Sequence, residues 1–423
     1  MQAFLQSYKI QSVTFLFIYL VSMILSAEFI LSLSMIALVL LALFQLKIEG
    51  QRVTLHFRET LKADFQNYWN NKVWLAVSIP FFLVLLSALY SNDWTYTLER
   101  LRIKLPFLVL PFAFAAMPKL KKQQYFAILY FLLIMVFISC LYIGANYLAH
   151  FGQINELIGK GRPIPTPSNH IRFSLTLALT IIGGIALWWD GFYFQSPRER
   201  HFIGGITLFL FVFIHILAVR SGLFALYLAL LAIGIQQAVV AKKHWAGFIV
   251  VAGLILLPML AYQILPSFRA KISYAGWDFK QYLQGIGGNY SDSERLASLQ
   301  AGLKIGNEHP IFGVGAGDLK REVEKVYATD FGGDYTFRMP HNQFISVYAG
   351  TGLIGLSVFV FGFFFPLFYR ENYRNSLFLA LHAIIFISFM MENTIENNFG
   401  VSLYLFFLLM GLNYLTDERY KTS

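Results

Sequence analysis

Pro340-His341-Asn342-Gln343-Phe344 and, shortly after, Gly350-Thr351-Gly352-Leu353-Ile354-Gly355-Leu356 mark the point where a polar segment breaks into an apolar run. From Pro266 to Pro340 the chain balances its Lys and Arg against an equal number of Asp and Glu. Nearly everything on either side reads as apolar helix. The polar, conformationally special residues are therefore concentrated in one place, and the chemistry is expected there.

Of the 423 residues 57% are hydrophobic, 17% aromatic and only 13% charged, which excludes a soluble globular domain and points to a polytopic membrane protein. The single cysteine, Cys140, rules out an intrachain disulfide and a Cys-based metal cluster. The net charge of +10 does not indicate a nucleic-acid partner, because the excess lies in short loops between apolar runs. The first apolar run, from Val13, reads as a membrane anchor rather than a cleavable leader.

A span needs about 20 apolar residues. The sequence predicts about twelve, at 12–27, 29–46, 73–90, 105–117, 125–148, 171–188, 202–218, 221–239, 246–265, 342–368, 375–391 and 398–415. The expected class is all-α. Its parts are nine helices over 1–265, a large helical loop over 266–341, and three helices with a short tail over 342–423. With the N-terminus inside, most loop Lys and Arg fall on the inner side. The short loops opposite hold only Arg100, Arg102, Lys104, Lys160, Arg162 and Arg220. The positive-inside rule then places both termini in the cytoplasm and the large loop outside. Segment 47–72 reads as a charged cytoplasmic linker.

Within the loop, Ser291-Asp292-Ser293-Glu294 fits a capping box, and Leu296, Leu299 and Leu303 follow at helical spacing. Gly313-Val314-Gly315-Ala316-Gly317 reads as a tight turn positioning two loop helices, since no βαβ unit surrounds it. Asp318 is expected to cap a helix over 319–327, residues 331–340 to be loop, and Pro340 to open the tenth span from its first position.

Four places carry candidate chemistry. Arg295 falls in the first turn of its helix, where the macrodipole disfavours a cation but favours a bound anion; pairing with Asp292 or Glu294 is the plainer alternative. Arg220 sits at the outer boundary, suited to phosphate or to snorkelling. His341, in the first turn of the tenth span, would stay neutral and able to accept a proton, or bond a loop carbonyl. Asn169-His170-Ile171-Arg172 opens the sixth span, and Arg172 is expected to face a polar cavity. All lie at one predicted face, so several cations and a neutral histidine suit a diphosphate leaving group and an incoming hydroxyl. No Asp-X-Asp pair or His/Asp cluster accompanies them, and neither a metal nor a cofactor is expected.

Ser293-Glu294-Arg295-Leu296, Pro310-Ile311-Phe312-Gly313-Val314-Gly315, the Pro340–Phe344 stretch and Gly350–Gly355 resemble the signature of the O-antigen ligase/polymerase superfamily, and Arg220-Ser221-Gly222 is similar to its upstream arginine segment. The resemblance implies a GT-C-like integral-membrane glycosyltransferase of the bacterial inner membrane, acting on the periplasmic face. Its donor would be a glycan on undecaprenyl pyrophosphate. The acceptor would be a lipid A core sugar in a ligase, or another lipid-linked repeat in a polymerase. Carried onto this chain, Arg220 and Arg295 would bind the pyrophosphate and His341 would activate or orient the acceptor hydroxyl; beside what the resemblance implies, His170, Arg172 and Asn342 are candidates for further pocket residues. A polysaccharide flippase is the more distant alternative; it would place ionisable groups near the bilayer midplane.

Overall fold

A computed structural model describes residues 7–49, 52–167, 169–240, 242, 244–284, 290–331 and 335–415. Lys243, Asp334, Arg419 and Lys421, which entered the charge comparison, lie outside the described residues, as do both chain ends and the side chain of Ser291.

Of the described residues 81% are helical, and the all-α class holds. In order the helices are α1 (Tyr8–Ile24), α2 (Glu28–Leu43), α3 (Leu61–Asn70), α4 (Lys72–Val77), α5 (Ile79–Ser87), α6 (Trp94–Ala116), α7 (Lys122–Ala149), α8 (Phe151–Gly159) and α9 (His170–Trp189). There follow α10 (Glu199–Leu217), α11 (Arg220–Val239), α12 (His244–Ile264), α13 (Pro266–Leu283), α14 (Ser291–Glu308), α15 (Leu319–Asp330), α16 (Gln343–Phe368), α17 (Ser376–Met391) and α18 (Asn398–Leu415). Each of the twelve apolar stretches is helical over most of its length, but the second, expected over 29–46, ends at Leu43, where a β-strand begins. Seven helices are long and apolar enough to cross a membrane among the described residues, with shorter apolar ones at Tyr8–Ile24, Glu28–Leu43, Ile79–Tyr90 and Ser376–Met391.

Burial sorts these helices into centre and rim. In α18 every residue from Phe399 to Leu415 is buried, with Asn413 accepting from Leu120 N at 2.9 Å and donating to Phe114 O at 3.0 Å. In α12, by contrast, only 6% of the apolar window is covered. A helix apolar all round is either core or lipid-facing; α18 is the first and α12 the second.

Three expectations about elements need correction. Segment 47–72 is more than a linker: Phe44–Glu49 (β1) pairs antiparallel with Arg52–Phe57 (β2), and α3 follows. The fourth span is not the short 105–117 but starts at Trp94, because Asp93 accepts from Tyr96 N at 2.9 Å and so begins the helix earlier. Its early turns carry Glu99, Arg100, Arg102 and Lys104, which hides them from a hydropathy reading. The loop also holds a further helix, α13, too polar to register as a span.

The Gly350–Gly355 motif turns out to break a helix. Gly352 has φ 67° and ψ −170°, so α16 is two helical pieces joined across a kink. A Cβ at Gly352 would collide with the Ile311 carbonyl, which only glycine avoids. Backbone groups freed by the break are bonded by the glycine turn. Val314 N donates to Ala349 O at 3.0 Å, Gly315 N to Gly350 O at 2.9 Å, and Leu353 N to Pro310 O at 2.8 Å. Irregular backbone at a membrane helix is tolerated where protein satisfies it. The turn, with Gly313 and Gly315 at φ 68° and 90°, is therefore tight as expected, but it wedges into α16 as well as joining α14 to α15.

Candidate active site

The start of α14 organises the site. The expected capping box is absent: Tyr290 is the cap residue and makes no side-chain cap bond. Asp278 of α13 takes over that work from outside the helix, accepting from Asp292 N at 2.9 Å and from Ser293 Oγ at 2.7 Å. Glu294, expected at the third helical position of the box, instead pairs with Arg338. This turn presents Asp292 and Arg295, three positions apart and so on neighbouring parts of one helix surface.

Asp292 meets Arg220. The α10–α11 connection turns through Ala218, whose φ of 51° is left-handed, and sets Arg220 as the first residue of α11. Its guanidinium forks onto Asp292 at 2.7 and 2.5 Å. Lys271 of α13 stands close by, donating to Gly161 O and Arg162 O at 3.0 and 2.9 Å. Burial first, then the Arg220 charge, pushes its pKa down to about 8 against the opposing pull of Asp292.

Arg295 is not paired with Asp292 or Glu294. It reaches Glu392, just past the end of α17, with Nη2 3.2 Å from Oε1. The other Glu392 oxygen stands 3.3 Å from Nδ1 of His341, an ion-pair distance without hydrogen-bond alignment. Burial works to raise the Glu392 pKa, but His341, Arg295 and Arg172 outweigh it and hold the carboxyl below the ordinary range. His341 itself is tied to α14: its backbone N–H donates to Ser298 Oγ at 3.1 Å, and Ser298 donates to Arg295 O at 2.7 Å.

His341 is not in the first turn of α16, and Pro340 does not open it. The helix begins at Gln343 with Asn342 as cap, accepting from Ile345 N at 3.1 Å. The neighbour that acts on the imidazole is the Glu392 carboxylate rather than a helix terminus. Asn342 also donates to Met390 O at 3.1 Å, so both ends of its amide serve the backbone. Gln343 continues the pattern, accepting from Ile395 N at 3.0 Å and donating to Glu396 at 2.8 Å. Three consecutive residues, 341 to 343, thus line up along the segment from Met390 to Glu396.

Arg172 stacks its guanidinium 5.3 Å from the centroid of Phe399 and lies within electrostatic reach of Glu392. His170 is within reach of Lys271 on one side and of Arg295 and Glu392 on the other, which places it between the two charged groups. Of the residues expected from sequence, Arg295 and His341 converge on one carboxylate, with Arg172 and His170 near it, and Arg220 of α11 adjoins through Asp292 on the same turn of α14 as Arg295. Asn342 serves structure. Glu392, Asp292 and Lys271 were missed, although an acid at the end of an apolar run, on the predicted face of His341, was a usable signal for Glu392.

A bundle of membrane-length helices, with a helical loop at one end whose Arg295 and His341 meet the partly buried Glu392 carboxylate, defines a polytopic membrane protein with a charged site at that end. Residues 205–360 match the family described as O-Antigen ligase. The match takes in Arg220, Arg295, His341 and the broken helix, and stops short of Glu392. Members of this family are glycosyltransferase-like ligases and polymerases, which supports an enzyme in a membrane. Among curated proteins none matches the chain.

Proposed function

We propose that the protein is an O-antigen ligase-like, inverting glycosyltransferase of the bacterial inner membrane, working on the periplasmic face with both termini cytoplasmic. It would move a glycan from undecaprenyl pyrophosphate to a lipid A core sugar. The observation that carries this reading is that Arg295 and His341 address the same carboxylate, Glu392, so an anion-binding group and a proton acceptor share one anchored site.

The acceptor hydroxyl oxygen attacks the anomeric carbon of the donor. Its proton passes to His341, and the bond from that carbon to the pyrophosphate oxygen breaks. Arg220 and Arg295, with Lys271 beside them, neutralise the charge that gathers on the departing pyrophosphate, the kind of fixed-dipole and fixed-charge stabilisation that dominates many active sites. One displacement inverts the anomeric carbon. Neither metal nor cofactor is required, and residues 266–341 would form the loop that covers the site.

A polymerase joining lipid-linked repeats would use the same groups. A flippase reading is disfavoured by the clustering of these ionisable side chains at one end of the bundle. The test is a deletion strain complemented with wild type, Arg295→Ala or His341→Ala, with lipid A-linked and undecaprenyl-linked glycan compared. Long chains stranded on undecaprenyl identify a ligase, and lipid A carrying single repeats identifies a polymerase. Wild-type behaviour of both variants overturns the site.

A further inference from the structure

A cleft of about 900 Å³ adjoins the candidate site, and its lining includes Arg162, Tyr274, Trp277, Tyr290, Glu294 and Arg338. Its size falls within the range of about 300–1,000 Å³ usual for ligand pockets. Three aromatic rings run along it: Tyr274 and Trp277 have centroids 5.7 Å apart, and Trp277 and Tyr290 4.8 Å apart at 71°. None of the three belongs to an apolar core among the described residues, and Trp277 is 42% exposed. These rings therefore do no core packing that would explain them.

The walls are built rather than accidental. Gly161, at φ 86°, brings the α8–α9 connection against Tyr274, where a Cβ would lie 2.5 Å from a ring carbon. Lys271 ties the same connection to α13 through two carbonyls. On the other wall the Glu294–Arg338 ion pair offers donors and an acceptor side by side. Aromatic faces receive the C–H face of a sugar ring, and charged pairs receive its hydroxyls; a lipid tail would find too much charge here. The position fits as well. Tyr274 is within electrostatic reach of Asp292 and Arg220, and Glu294 directly precedes Arg295.

We propose that the Tyr274–Trp277–Tyr290 cleft is a glycan-binding subsite that holds sugars of the donor next to its pyrophosphate; its assignment to the donor rests on the function proposed above. The cleft would then bind the carbohydrate independently of the transfer chemistry.

The experiment uses the full-length protein in nanodiscs and, as probe, the host's own surface polysaccharide released from its lipid by mild acid. Binding is read by calorimetry for wild type, Trp277→Ala, Trp277→Phe and Arg295→Ala, with thermal midpoints as a check on folding. Trp277→Ala should weaken binding about tenfold or more, while Trp277→Phe, which keeps an aromatic face, stays near wild type. Arg295→Ala should keep polysaccharide binding while losing transfer. Absence of binding by wild type, or equal binding by a folded Trp277→Ala, overturns the subsite, and so does equal loss in Arg295→Ala. If wild type binds polysaccharide but transfers nothing from undecaprenyl pyrophosphate donors, the subsite stands and the proposed transferase function fails. Transfer without polysaccharide binding gives the converse.

Discussion

Glu392 stands 3.3 Å from Nδ1 of His341, so the carboxylate occupies the Nδ1 side of the ring. In the mechanism proposed above, the carboxylate stands beside one ring nitrogen and the other nitrogen takes the proton. On the proposed mechanism His341→Ala lowers transfer by about 10²–10⁴-fold. Glu392→Gln lowers kcat by less, and Glu392→Asp retains part of it. Because the Glu392 pKa is depressed, the carboxylate is present at neutral pH and its contribution fades only as pH falls through that value. An acid-side fall in kcat/KM that persists unchanged in Glu392→Gln would exclude the carboxylate as its source.

Arg220 is occupied by Asp292 before any donor arrives. If the pyrophosphate takes that guanidinium, it competes with a carboxylate already in place, and Asp292→Asn should lower the donor KM. Arg220→Lys should raise it, because an ammonium cannot reproduce the forked contact. A rise in KM for Asp292→Asn instead means that Asp292 orients Arg220 for the donor. Steady-state kinetics on purified enzyme separates the two.

Lys104 is buried at 3% exposure, with Nζ 2.7 Å from Glu396 Oε1 and 2.5 Å from Ile395 O. Removing one member of a buried pair costs about 3–5 kcal/mol when the other charge is left uncompensated; here Arg100 Nη1, 3.6 Å from Glu396 Oε2, offsets part of that loss. Lys104→Met should therefore lower the thermal midpoint markedly, and Lys104→Met with Glu396→Gln should recover much of the loss. The single variant should also impair transfer, since Glu396 lies four residues from Glu392 on the same segment. Normal activity in a destabilised Lys104→Met would show that the segment holds its place without this anchor.

Asp318 was expected to cap α15, and its side chain instead crosses to the start of α6, accepting from Asn92 N at 2.8 Å and Asp93 N at 2.9 Å. Burial raises its pKa, but those N–H groups and Arg321 outweigh it, so the folded pKa lies below the unfolded value of about 3.9. The stabilisation is fully present above that unfolded value and is lost as pH falls through the folded one. Asp318→Asn should be less stable at neutral pH and show a flatter decline in acid, measured as thermal midpoint against pH. Parallel curves for the two proteins would exclude Asp318 as a contributor.

Apolar runs announced every long apolar helix, because lipid and core demand the same composition. Elements whose stability comes from particular partners were harder to read. α13 is polar and docks through Ser267, Lys271 and Asp278. The β1–β2 hairpin was visible only as alternation in Gln45-Leu46-Lys47-Ile48 and Val53-Thr54-Leu55-His56, easily taken for a charged linker. In the site, the cations and His341 were legible because such residues are rare in this chain. Their partners were not, since Arg295–Glu392 spans 97 positions and Arg220–Asp292 spans 72. Sequence spacing reports neighbours along one helix, whereas these pairs are made by packing.

The kink at Gly352 means that α16 and the Pro310–Gly315 turn complete each other's backbone. The covering loop is consequently no interchangeable module. A graft that moved residues 266–341 between related enzymes would carry the wedge away from the notch cut for it, and would leave peptide groups bare inside the membrane helix. Inheritance of acceptor or donor preference by exchange of this region must therefore travel with the following helix, at least through Ile354, as one indivisible cassette.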